Sequence, residues 1–182
     1  MADSLPEFRY HPDPVGTGAV EISERVCLAC GRARGYIYAG PVYAEGELDE
    51  QLCPWCIADG TAHERLGAEF VDAQGVGGYG TWEEVPASVV RELVERTPCF
   101  SGWQQERWFT CCGDAGAFIG RAGKPQLQAA GEAALDAIRS EAGYEGRNWE
   151  DYLDQLDADG SPTAYLFRCL HCGKIGGYSD CH

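Results

Sequence analysis

The sequence predicts an α+β fold: zinc-ribbon-like knuckles with short antiparallel strands and several helices. Three observations lead there. Segments with helical periodicity stand apart from short, β-prone, cysteine-bearing segments, without the strand–helix–strand alternation of a parallel sheet. The decapeptide CLACGRARGY at 27–36 returns at 169–178 as CLHCGKIGGY, with six identical positions and Arg32/Lys174 conserving charge. The 24 glycines, many beside cysteines or aromatics, call for tight turns and short strands rather than long helices.

The elements follow in chain order. The first 20 residues are rich in proline and glycine and read as extended, with YHPDP at 10–14 in polyproline or turn conformation because each proline restricts the residue before it. GYIYAG and VY, at 35–40 and 42–43, are β-prone runs bounded by turn residues. A helix starts at Thr61, with Thr61 as cap and Glu64 completing a capping box. A second runs over 86–96, with Val89, Val90, Leu93 and Val94 on one face and Thr97-Pro98 ending it. Residues 107–120 read as strand (RWFTCC), turn (GDAG), strand (AFIG). One long helix covers 124–142, with Leu127, Ala134, Leu135 and Ile138 apolar and Gly143 as its stop. Another starts at Asn148, where Trp149, Tyr152, Leu153 and Leu156 share a stripe. TAYLFR at 163–168 is a strand delivering Cys169. The chain is thus expected to comprise an extended start and ribbon module, 1–60, and an α+β region with a second cysteine cluster, 61–182, packed together as one compact unit.

The charge excludes some partners. With 14 basic and 29 acidic residues the net charge is -15, and no segment forms a basic patch. Binding to nucleic-acid phosphates or to an anionic membrane needs clustered Lys and Arg, so both are disfavoured. A basic protein partner is favoured by complementarity, although acidity also serves plain solubility. No stretch is long and apolar enough to span a membrane, and the N-terminus lacks the basic and apolar regions of a secretory signal. The expected compartment is the cytoplasm, where thiols stay reduced. Ten cysteines there point to metal before disulfides.

Cys27-x-x-Cys30 and Cys53-x-x-Cys56 are separated by 22 residues. Each Cys-x-x-Cys turn aims two sulfurs at one point, and two such turns build the four-sulfur cage of a structural zinc site. A redox reading of Cys53-Pro-Trp-Cys56 is weaker, because a partner knuckle explains the pair. A closed cage stabilises the fold but has no open position for a catalytic water.

Cys169-x-x-Cys172 repeats the first knuckle and predicts a second zinc, yet no second Cys-x-x-Cys remains to partner it. The favoured ligands are Cys112, Cys169 and Cys172, with Cys111 as fourth. Neighbours on a strand point to opposite faces, so a bulge or turn is needed for Cys111 and Cys112 both to bind. Cys99, Cys181, His171 and His182 are the alternatives. A site with an open fourth position would leave room for a zinc-dependent hydrolase, although no His-Glu-x-x-His motif supports one.

Long motifs carry a resemblance. YHPDP at 10–14, CLACGRARGYIYAGPVY at 27–43, LCPWCIADG at 52–60, SGWQQERW at 101–108, CGDAGAFIG at 112–120 and YLFRCLHCG at 165–173 together resemble the CbrC family of bacterial colicin-tolerance-associated proteins. The resemblance runs over nearly the whole chain. It implies a bacterial soluble protein linked to tolerance of a protein toxin, with a basic toxin domain as a candidate partner. It implies no catalytic set.

Other constellations have plain readings. Trp103, Gln104, Gln105, Arg107 and Trp108 suit either a recognition surface or a core. His11, between Tyr10 and Pro12, is a turn former or the rim of a polar site. Turn chemistry accounts for Asp13, Asp59 and Asp114. The acidic run NWEDYLDQLDADG at 148–160 is a solvated helix face that lacks the spaced ligands of a calcium loop.

Overall fold

A computed structural model describes residues 4–182. Strands β1 (Val20–Ile22) and β2 (Tyr36–Tyr38) pair antiparallel, Val20 opposite Tyr38. Helices α1 (Pro54–Ala58) and α2 (Thr61–Leu66) follow, then a 3-10 turn at Ala73–Gly75 and α3 (Ala87–Arg96). A minimal hairpin joins β3 (Thr110–Cys111) to β4 (Asp114–Ala115). Next come β5 (Ala117–Ala122), α4 (Lys124–Ala130), α5 (Glu132–Ala142) and α6 (Gly146–Gln155), and finally β6 (Thr163–Arg168) and β7 (Ile175–Asp180). The largest sheet is antiparallel in the order β5-β6-β7. The predicted α+β class is what the structure has.

Three apolar cores hold these elements. The first packs Tyr38, Leu52, Ile57 and Phe70 around the early strands and α1. The second stacks the Phe100 ring on Phe118, centroids 4.0 Å apart, and on Tyr165 at 5.2 Å, with Trp108 and Phe167 edge-on to each other. The third joins Leu127, Ala134, Ile138, Trp149 and Leu156 of the α4–α6 region. β6 lies between the last two. Its Tyr165 and Phe167 face the second core, and its Ala164 and Leu166 face the third. Successive side chains alternate faces, so a strand covered on both sides becomes the unbroken apolar run seen in its sequence.

Several expected boundaries move. Thr61 is the first residue of α2 rather than its cap: Gly60 precedes it with φ 84°, and the Asp59 carboxylate accepts the Thr61 amide at 2.9 Å. The long helix divides at Gly131, whose φ of 95° is incompatible with a continuous helix. α6 starts two residues before Asn148. The turn after RWFTCC falls at Cys112-Gly113, and AFIG, extended to Ala122, pairs with β6 instead of folding back on RWFTCC. Tyr43 makes only an isolated bridge to Glu69. β4 falls within the GDAG segment expected as a turn, and the sequence carries no expectation of β1 or β7; β7 has two adjacent glycines, which weaken a strand signal.

Those glycines admit close neighbours. A Cβ on Gly176 would lie 2.2 Å from the Phe109 ring, and one on Gly177 2.2 Å from the Tyr165 carbonyl oxygen and 3.2 Å from Ile138 of α5. β7 can therefore pass between Phe109 and α5 only as bare backbone. Among the described residues, no helix is long and apolar enough to cross a membrane.

Candidate metal centres

The two knuckles are one local structure used twice. In the first, the Cys27 amide donates to the Arg32 carbonyl at 3.0 Å and the Gly31 amide donates to the Cys27 carbonyl at 2.7 Å. In the second, Cys169 donates to Lys174 at 2.8 Å and Gly173 to Cys169 at 3.1 Å. Gly31 and Gly173 have φ of 68° and 73°, which explains the glycine after each second cysteine: the chain must turn through the left-handed region there. The first knuckle closes on a single bridge, Val26 to Ala33, whereas the second closes the full β6–β7 hairpin.

The first knuckle meets Cys53 and Cys56 at the start of α1. Cys53 precedes the helix, with Pro54 at its opening position. The Leu28 amide donates to the Gln51 carbonyl at 2.9 Å, and the Cys53 amide donates to Cys27 Sγ at 3.3 Å. Cys27, Cys53 and Cys56 are buried and Cys30 is half-buried. The four sulfurs lie within 4.8 Å of one another, with Cys30 and Cys53 3.9 Å apart.

The second knuckle meets the β3–β4 hairpin. Cys111 ends β3, and Cys112 and Gly113 form its two-residue turn with φ of 57° and 71°. Positive φ at both positions is the requirement of the type I′ hairpin turn, whose twist matches its strands. That turn resolves the problem of adjacent ligands: by entering the left-handed region Cys112 brings its sulfur to the same side as that of Cys111, 3.7 Å away. Cys111 Sγ is also 3.8 Å from Cys172 Sγ, and all four sulfurs of Cys111, Cys112, Cys169 and Cys172 lie within 4.8 Å of one another. Cys111 and Cys169 are buried, while Cys112 and Cys172 are exposed.

The donor sets fit a tetrahedral metal. Zinc–sulfur bonds of about 2.3 Å place sulfurs about 3.8 Å apart, close to the separations here and far beyond the roughly 2.05 Å of a disulfide. Protonation tells the same story. A hydrogen bond with Cys53 holds the Cys27 thiol down at about 4 against the opposing effect of burial. The same bond pushes Cys53 up, and burial pushes Cys56 up to about 12. In the second group burial raises Cys111, whereas Cys169, despite its own burial, is held at about 6 by backbone amides and neighbouring thiols. Four adjacent thiolates repel one another, and a divalent cation removes that conflict.

Around the second tetrad sits a buried carboxylate whose role was not legible in the sequence. Asp114 accepts the Tyr10 hydroxyl at 2.7 Å, the Arg9 guanidinium at 2.5 Å and the Ala115 amide at 2.9 Å, and faces His171 Nε2 at 2.8 Å. Although burial opposes ionisation, these partners keep its carboxyl below the usual range. It thereby fastens the N-terminal segment and the knuckle to the β3–β4 hairpin. Its position directly after Cys-Cys-Gly is the only signal the sequence offered. Asp13 and Asp59 do serve local turns, accepting the Gly16 and Thr61 amides.

All eight predicted metal-binding cysteines fall into the two tetrads, and the alternative fourth ligands stand elsewhere. Cys99 is buried in the second core. His171 is engaged with Asp114. The His182 ring packs 5.0 Å from Trp103, and the Cys181 carbonyl accepts from Gln104. Of the aromatic pair at 101–108, Trp108 is fully buried and Trp103 is exposed.

Fold and site define a small α+β protein built on two knuckle-based cysteine tetrads, each able to hold a metal ion. A family model described as "Uncharacterised protein family (UPF0167)" matches residues 5–181, and the chain belongs to that family. It is similar to UPF0167 proteins of Mycobacterium bovis and Mycobacterium tuberculosis, each 49% identical over 181 residues covering 97% of this chain and 93% of the relative. A UPF0167 protein of Pseudomonas aeruginosa is 43% identical over 175 residues, 96% of each chain. No solved structure matches the chain.

Proposed function

We propose that both tetrads hold zinc as closed structural centres, and that the protein works by binding another protein rather than by catalysis. The observation that carries this reading is the completeness of each cage: four mutually adjacent cysteine sulfurs fill a tetrahedral shell. Each zinc would staple a knuckle to a segment distant in sequence, so its binding energy would be folding energy. The partner that suits a chain of charge -15 is basic. The motif resemblance to the CbrC family supports a basic toxin domain, and hence a link to toxin tolerance, with the cytoplasm as the site of action.

Metal analysis with X-ray absorption tests the first half: two zinc ions per chain, each with four sulfur neighbours, are expected. Titration with basic toxin domains tests the second. No binding, together with unchanged toxin sensitivity on expression, would overturn it.

One observation favours a second reading, a zinc hydrolase. The second tetrad borders a groove of about 690 Å³ lined by Trp82, Phe109, Ser140, Glu141, Cys172 and Lys174. It requires a metal with an exchangeable oxygen ligand, which the absorption spectrum would reveal as fewer than four sulfurs.

A further inference from the structure

The two tetrads have the same four donors and the same knuckle but differ in access. Three of the first four cysteines are buried, the most open of them only 2% exposed, and the fourth is half-buried. In the second, Cys112 and Cys172 are exposed. Cys172 also lines the 690 Å³ groove, so a small molecule can approach that residue. Cys112 is exposed at the tip of a two-residue turn, in a left-handed conformation that few side chains adopt. Oxidation of a cysteine follows its exposure as well as its thiolate character, and with the same four donors in each tetrad the two centres differ chiefly in access.

We infer that the second tetrad is a thiol modification site: peroxide links Cys112 to Cys172 as a disulfide and frees the metal of that centre, while the first centre keeps its own. The thiolate of one residue attacks the peroxide, breaking the O–O bond to give a sulfenic acid and hydroxide. The second thiolate then displaces hydroxide from the sulfenic sulfur and forms the S–S bond. Two electrons pass from the two sulfurs to peroxide, which leaves as two waters after taking up two protons. Cys111 and Cys169 remain as two thiolates, too few to hold the ion. The two exposed sulfurs already lie within 4.8 Å of each other, so small movements suffice. A Cys111–Cys112 disulfide is disfavoured, because linking adjacent residues would distort the peptide between them.

The metal release rests on the zinc reading above; the choice of thiol pair rests on exposure and separation. The test uses the full chain as purified. Metal is counted first, then hydrogen peroxide is added with a zinc-sensitive dye present. Remaining thiols are alkylated and the disulfides mapped by mass spectrometry. The expected result is two zinc ions at the start, one released at least ~10-fold faster than the other. The map should show Cys112 joined to Cys172, with Cys27, Cys30, Cys53 and Cys56 still alkylated as thiols. Fewer than two zinc ions at the start overturns the metal reading, and the map still decides the thiol pair. Two zinc ions released together, or a disulfide within the first tetrad, overturns the inference. A Cys112→Ser variant should lose the fast phase; because it could also impair folding, the wild-type map is decisive.

Discussion

The ring Nε2 of His171 lies 2.8 Å from Oδ2 of Asp114, tying the second knuckle to the hairpin that supplies its partner cysteines. The same carboxylate holds the Tyr10 hydroxyl and Arg9 from the start of the chain. Segments more than 100 residues apart in sequence therefore meet on one buried acid. Replacing it with alanine strands the Tyr10 hydroxyl and leaves Arg9 and His171 without their acceptor. Asp114→Ala should cost ~2–4 kcal/mol in urea denaturation. Metal at the first tetrad should be unaffected. A loss under 1 kcal/mol would show the network to be incidental.

The first tetrad and the buried Cys99 can be separated by metal counting. On the two-zinc proposal, Cys30→Ser should lower the metal-to-protein ratio from two to one and lower Tm, because the cage loses one of its four donors. Cys99→Ala should keep the metal content of the wild type, since Cys99 sits in the second core and belongs to neither tetrad. Loss of metal in the Cys99 variant would contradict the assignment.

Gly177 is constrained by space rather than by φ. A Cβ there meets the Tyr165 carbonyl oxygen, part of the β6–β7 ladder that cannot move freely. Gly177→Ala should destabilise by about 1–3 kcal/mol. Gly46, with nothing within 4 Å, should accept alanine within about 0.5 kcal/mol. Equal stabilities for the two variants would refute the close-approach argument.

His11 makes stability depend on pH. It is fully buried, its Nδ1 lies 2.7 Å from the Pro98 carbonyl and its Nε2 lies 2.6 Å from the Thr17 hydroxyl. The carbonyl can only accept, so Nδ1 carries the proton and Nε2 accepts from Thr17. Burial pulls the ring down from 6.5 to about 4, despite the Pro98 carbonyl. The unfolded chain therefore binds the extra proton first, and stability is lost as pH falls from about 6.5 to about 4, by ~3 kcal/mol in all. Glu106 and Asp180 run the other way, because burial raises both carboxyls. The check is thus a difference: wild type should lose this much more than His11→Gln over the same range. Parallel pH profiles would exclude the effect.

Much of the site was written locally. A Cys-x-x-Cys-Gly knuckle needs only its own backbone hydrogen bonds and one left-handed glycine, so both knuckles were legible, as was the partnership of Cys27 and Cys30 with Cys53 and Cys56. A helical pair such as Ala134 and Ile138 of α5 was legible because burial on one face imposes a period. The break at Gly131 and the start of α6 were not, since those depend on backbone dihedrals rather than on pattern.

The sequence by itself determined the α+β class, the repeated knuckle and the shortlist of sulfurs, because each depends on spacing within a few residues. Only the tertiary structure decided that Cys111 completes the second tetrad and that Cys99, Cys181, His171 and His182 do not. That choice depends on the left-handed turn at Cys112 and on the packing of β3–β4 against the β6–β7 hairpin. It also decided that Asp114 is a buried hub rather than a turn residue, and that one tetrad is shielded while its near copy is open. Exposure and long-range hydrogen bonding belong to the assembled chain, and no local pattern encodes them.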